Sequence, residues 1–120
     1  SIGIGIDRHL RRCGVSAPRR LEMDSSDTLF AMIAAGVGWA LTTPLCVLHG
    51  RPDASAVRLL PLPKPGFSRE IVMIARNGEY QELVDRLANN AREAVQSICL
   101  PAILRSMPWI ADEIVLGSSS

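Results

Sequence analysis

The segment Asp24–Pro44, DSSDTLFAMIAAGVGWALTTP, constrains this chain most. It opens with a run of polar residues suited to a helix start, where free backbone N–H groups need acceptors. Asp24 and Asp27 have the D-x-x-D spacing of a capping box, and Ser25 or Ser26 is an equally good cap. Leu29, Phe30, Ile33 and Val37 then recur at helical spacing as an apolar stripe. Gly36 is expected to end the helix, and Gly38 to let the chain turn sharply. Trp39–Thr42 reads as a short strand, closed by Thr43 and Pro44 because proline cannot donate to a ladder. Helix, turn, strand is the second half of a βαβ unit when a strand precedes it. Arg19–Met23, with alternating charged and apolar residues, is predicted to be that strand.

The rest of the chain carries the same mixture. Ser1–Cys13 is predicted to be a helix with Ile2, Ile6, Leu10 and Cys13 on one face and Gly14 at its end. Arg8, Arg11 and Arg12 fall late in that helix, as a solvated face or as contacts for phosphates. Leu45–Leu48 reads as one helical turn and His49–Pro52 as a loop. Val57–Leu62, broken by Pro61, is an expected edge strand, and Lys64-Pro65-Gly66 a linker. Ile71–Ala75, IVMIA, is a continuous apolar run of the kind buried on both faces of a sheet. Glu79–Leu100 has the longest helical periodicity, through Tyr80, Leu83, Val84, Leu87, Ala91, Val95 and Ile98. Pro101 is expected to end or kink it. Pro108-Trp109-Ile110 forms an apolar patch before a polar tail.

Composition excludes several classes of function. An apolar fraction of 48% and a formal net charge of +1 suit a core-forming chain and give no electrostatic case for DNA or an anionic membrane as a direct partner. Cys13, Cys46 and Cys99 are odd in number and widely spaced, and are read as reduced, mostly buried thiols. With His9 and His49 they do not make a metal pattern, so no metal and no cofactor is expected. No apolar run would span a bilayer, and the first residues lack the pattern of a signal peptide, so a cytoplasmic location is expected. There is no G-x-S-x-G elbow, H-E-x-x-H or P-loop, and no catalytic residue is assigned.

Several of these segments, in this order, resemble the effector-binding domain of LysR-type transcriptional regulators. They are M-I-A-A-G-V-G-W-A at Met32–Ala40, T-T-P at Thr42–Pro44, V-R-L-L-P-L at Val57–Leu62, R-E-I-V-M-I-A at Arg69–Ala75 and the long closing helix. The resemblance covers about Ile6–Ile98. It implies a type II periplasmic-binding-protein-like α/β fold, of which this chain would hold a part. Residues 1–63 would belong to the second lobe, 64–107 to the crossover and return to the first lobe, and 108–120 to a C-terminal tail. The family's winged helix-turn-helix and the first lobe's opening strands have no counterpart in this sequence. DNA would be contacted only through a domain absent from this chain.

The resemblance also places a site. The family holds a small-molecule effector, often an anion, between its lobes against helix starts and strand ends. Carried onto this sequence, that gives Asp24, Ser25, Ser26, Thr43 and Pro44 as effector-binding positions, with Gly36 and Gly38 shaping the turn. Helix N-termini suit anions independently of any family, but the same residues are also explained as caps, and Asp24 would repel an anion unless turned away. His49 is either a rim residue or a solvated loop histidine. Two alternatives to a regulator's sensing segment stand beside it. One is a transport-associated solute-binding protein of similar fold, and the other is a segment that mainly forms dimer contacts. With half of each lobe missing, uncovered apolar surface and sheet edges predict self-association.

Overall fold

The computed structural model describes residues 2–16 and 21–117. Its elements are α1 (Ile2–Arg12), α2 (Ser26–Ala34), α3 (Pro44–Gly50), α4 (Gln81–Ala94), a π-helical turn (Val95–Cys99), α5 (Leu100–Ser106) and a 3₁₀ turn (Pro108–Ile110). The chain divides into two compact units, Ser1–Glu70 and Ile71–Ser120.

In the first unit, α1 ends as its sequence dictates. Gly14 takes φ +68, and the Val15 N–H reaches back to the Leu10 carbonyl at 3.0 Å, which satisfies an orphan acceptor of the last turn. α2 packs against α3, and the buried apolar side chains of this unit are Phe30, Val47 and Val57. After α3, Asp53 closes a turn in which its carboxylate accepts from the Ser55 N–H at 2.9 Å and the Ser55 hydroxyl at 2.7 Å. These bonds hold the Asp53 carboxyl below its ordinary range.

In the second unit, Tyr80 precedes α4 in the left-handed region at φ +52, so the helix begins at Gln81 and not at Glu79. Pro101 does not end the helical run. The π-helical turn Val95–Cys99 precedes it, the Leu100 N–H bonds to the Val95 carbonyl, and α5 continues to Ser106. A proline in a helix clashes with the carbonyl four residues back, and a widened turn directly upstream relieves that clash. Ile103 and Met107 form the buried apolar pair of this unit. Arg92 ties the tail down by donating to the Gly117 carbonyl at 2.8 Å.

Among the described residues there is no β-strand, so the sheet half of the expected α/β architecture is not seen. The predicted strand Arg19–Met23 lies partly outside the described residues, and Leu21–Met23 make no ladder. Trp39–Thr42 is not a strand, and Trp39 is exposed. Val57–Leu62 carries prolines at 61 and 63 and makes no ladder. Ile71–Ala75 departs furthest from expectation. A run predicted to be buried on both faces is exposed throughout, with Ile74 87% accessible. A strand is not a local structure: it needs a partner for its N–H and C=O groups, and none of the described segments provides one. The stripe on α4 is likewise uncovered, since α4 has no buried residue and Leu83 and Leu87 are exposed.

Candidate functional site

The polar start of α2 is set by Ser25. Its backbone is extended, and its hydroxyl oxygen accepts from the Thr28 N–H at 3.5 Å. The serine therefore caps the helix, and Asp24 and Asp27 stand exposed on either side of the Ser25–Ser26 pair. Ser26, the first helical residue, is half-buried. Gly36, at φ +82, follows the other end of α2, where the Val37 N–H bonds to the Met32 carbonyl at 3.1 Å. Gly38 lies outside the left-handed region, and a Cβ there would meet open space.

α3 begins with Thr43 in extended conformation and Pro44 at the first helical position, where a missing N–H costs nothing. The Thr43 hydroxyl makes no capping bond to the helix. Three residues on, Cys46 occupies the position at which a capping box carries Glu or Gln. Burial pushes the Cys46 thiol up. Hydrogen bonds from the Thr43, Thr42 and Ser26 side chains, and from the Thr43 backbone N–H, outweigh it, and the net shift is down. The Cys46 sulfur thus stands at the capping-box position with the hydroxyls of Thr42, Thr43 and Ser26 around it.

Ser26 comes from α2, whereas Thr42, Thr43 and Cys46 come from the entry to α3. Close approach of the two helices brings them together. A Cβ on Gly50 would stand 2.5 Å from Phe30 Cδ2 and 2.9 Å from Ser26 Cβ, so only a residue without a side chain fits at that point of α3. Beside this contact Asp27, Leu45, Leu48, His49, Gly50 and Arg51 line an open depression of about 540 Å³. Arg51 ends α3 in the left-handed region at φ +44.

Of the residues predicted for the site, Ser26 and Thr43 therefore meet at one corner through Cys46. Asp24 and Ser25 sit at the exposed start of α2, and Pro44 opens α3. His49, weighed as a rim residue, lines the depression together with Asp27. Sequence reasoning passed over Cys46, Gly50 and Arg51. Cys46 had a readable signal, the T-P-L-C spacing that puts it at the third helical position. Gly50 and Arg51 had none, because their roles depend on the packing of α3 on α2. Cys13, expected on the apolar face of α1, is exposed instead, while Cys46 and Cys99 are half-buried and all three thiols are free.

The corner has donors and acceptors in one place and no acid–base pair beside an activated nucleophile in the sense of hydrolytic triads. No group of three or more metal-binding side chains occurs among the described residues. No helix among them is long and apolar enough to cross a membrane. Residues 4–96 match the sequence model of the LysR substrate binding domain. None of the curated proteins and none of the solved structures compared matches the chain.

Proposed function

The chain belongs to the LysR substrate binding domain family, and on that premise we propose that it is a ligand-sensing segment of a LysR-type DNA-binding transcriptional regulator. The effector, a small molecule with an acceptor-rich polar group, sits against the corner where α2 and α3 begin. Ser26 and Thr43 give it their hydroxyl hydrogens, Asp24 and Ser25 form the outer edge, and Pro44 fixes the floor. The convergence of Ser26, Thr42 and Thr43 on Cys46 carries this reading. Three hydroxyls gathered about one polarisable sulfur are placed to donate together to an acceptor-rich ligand. An effector acceptor would take over the hydrogen bonds that the hydroxyls give to sulfur, and this exchange couples occupancy to the start of α3. Such a ligand switches the regulator only so far as it favours one arrangement over another. DNA contact belongs to a domain outside this chain.

A second role is supported by the exposed run Ile71–Ile74 and the uncovered Leu83 and Leu87. An apolar patch of this kind marks an association surface, and we assign it to oligomer contacts of the regulator.

The effector reading is tested by calorimetric titration of the intact protein with a panel of small mono- and dicarboxylates, followed by Ser26→Ala and Thr43→Ala. Loss of one hydroxyl to a charged acceptor is expected to weaken binding about tenfold. Undiminished affinity in both variants, with unchanged circular dichroism, would remove the corner from the site.

A further inference from the structure

A second cysteine, Cys13, directly follows α1, and the effector reading does not use its surroundings. His9 is 4% exposed, the one buried polar or charged residue among those described. Its ring lies 5.4 Å from the Phe67 ring, tilted by 45°. Its Nε2 lies 3.6 Å from the Cys13 sulfur, one helical turn further on. Cys13 itself is exposed. The base is therefore the buried member of the pair and the nucleophile the accessible one. In the tautomer protonated at Nδ1, Nε2 accepts the thiol hydrogen. Arg8, Arg11 and Arg12 are exposed on the helix that Cys13 follows and make its solvent surface basic.

We propose that Cys13 is a thiol–disulfide exchange site, with His9 as its base, for anionic low-molecular-weight disulfides of the glutathione type. The Cys13 proton passes to His9 Nε2 as the sulfur attacks one sulfur of the small disulfide. A bond forms between the Cys13 sulfur and that sulfur, and the disulfide's own S–S bond breaks. The departing thiolate takes the proton back from His9 and leaves as a free thiol. Cys13 is oxidised to a mixed disulfide, half of the small disulfide is reduced, and no other oxidant enters. Cys46 and Cys99 are both half-buried, and restricted access to their sulfurs makes them react more slowly.

The test is glutathione disulfide at limiting concentration added to the intact protein, with the modified cysteine identified by peptide mass mapping. Cys13 is expected to be modified first, and His9→Phe to slow its modification about a hundredfold, the low end for a lost general base. Cystamine, a cationic disulfide, is expected to react more slowly than glutathione disulfide at Cys13. If His9→Phe fails to fold, the native chain is compared with the same chain unfolded in urea. Native Cys13 must then react faster than unfolded Cys13. First modification at Cys46 or Cys99, an unchanged rate in folded His9→Phe, or a native rate no faster than the unfolded one would overturn the base role. Faster reaction with cystamine would overturn the choice of an anionic disulfide.

Discussion

Gly50 of α3 lies so close to Phe30 of α2 that a Cβ added to it would stand 2.5 Å from the ring. Phe30 is 4% exposed, so its ring cannot move aside without displacing the atoms that bury it. Gly50→Ala therefore places a methyl group where a ring already is. The helix-propensity gain of about 1 kcal/mol is outweighed, and a net loss of about 1–3 kcal/mol is expected. Gly38→Ala, whose Cβ would meet open space, is the matched control and is expected to be close to neutral. Urea unfolding of the two variants against the parent chain measures the difference.

The cap of α2 belongs to Ser25 and not to Asp24. Ser25→Ala is expected to cost about 0.5–1 kcal/mol, the lower part of the range for a lost N-cap, because the bond to the Thr28 N–H is long at 3.5 Å and exposed. Asp24→Ala is expected to change stability by less than about 0.5 kcal/mol. The same unfolding measurement separates them, and an equal loss in both would return the cap to the aspartate pair.

The Cys46 thiol titrates below an ordinary cysteine: burial pushes it up, and the hydroxyls of Thr43, Thr42 and Ser26 bring it down by more. Its charged form is therefore favoured by folding. That contribution is present above the unfolded thiol's titration and is lost as pH falls through the depressed folded value. Thiolate absorbance followed against pH should show Cys46 ionising earlier than the same chain in urea, and Thr43→Ala should move the native transition up. A native transition at or above the unfolded one would contradict the nest.

Arg51 ends α3 at φ +44, in the region that favours glycine. Arg51→Gly is expected to stabilise the chain by up to about 1 kcal/mol. It also removes the only arginine lining the depression beside α3. A more stable variant with weaker carboxylate binding would show that the arginine is kept for the ligand. A more stable variant with unchanged binding would place the effector wholly at the corner.

The exposed Ile71–Ile74 run makes self-association an expected property. Sedimentation velocity should show a concentration-dependent equilibrium that Ile74→Lys weakens several-fold. A monomer at all concentrations would remove this run from the oligomer contacts.

The punctuation of the helices was legible because it is local. Gly14, Ser25 and Gly36 act on backbone groups within a turn of themselves and stand in the structure at helix ends, whereas Pro44, read as the close of a strand, instead opens α3. The strands were not legible in the same way. The alternation at Arg19–Met23 and the apolar run at Ile71–Ala75 describe what those residues would do with a partner strand, and no described segment supplies one. Pro101 marked a change in the helix, but the upstream π-helical turn that lets the chain continue is a compensation spread over five residues. At the candidate site, the hydroxyls of Ser26 and Thr43 were readable from the polar helix start and the T-T-P exit. Their common partner Cys46 was not read, because the meeting depends on α2 and α3 packing through Gly50.

The proposed effector position is the corner formed by Ser26, Thr43 and Cys46. The most direct measurement is the alkylation rate of each cysteine by iodoacetamide, mapped by mass spectrometry, with and without a saturating carboxylate identified by titration. The ligand is expected to slow Cys46 at least several-fold and to leave Cys13 and Cys99 unchanged. Equal protection of all three, or a Cys46 rate that saturation does not alter, would contradict this position.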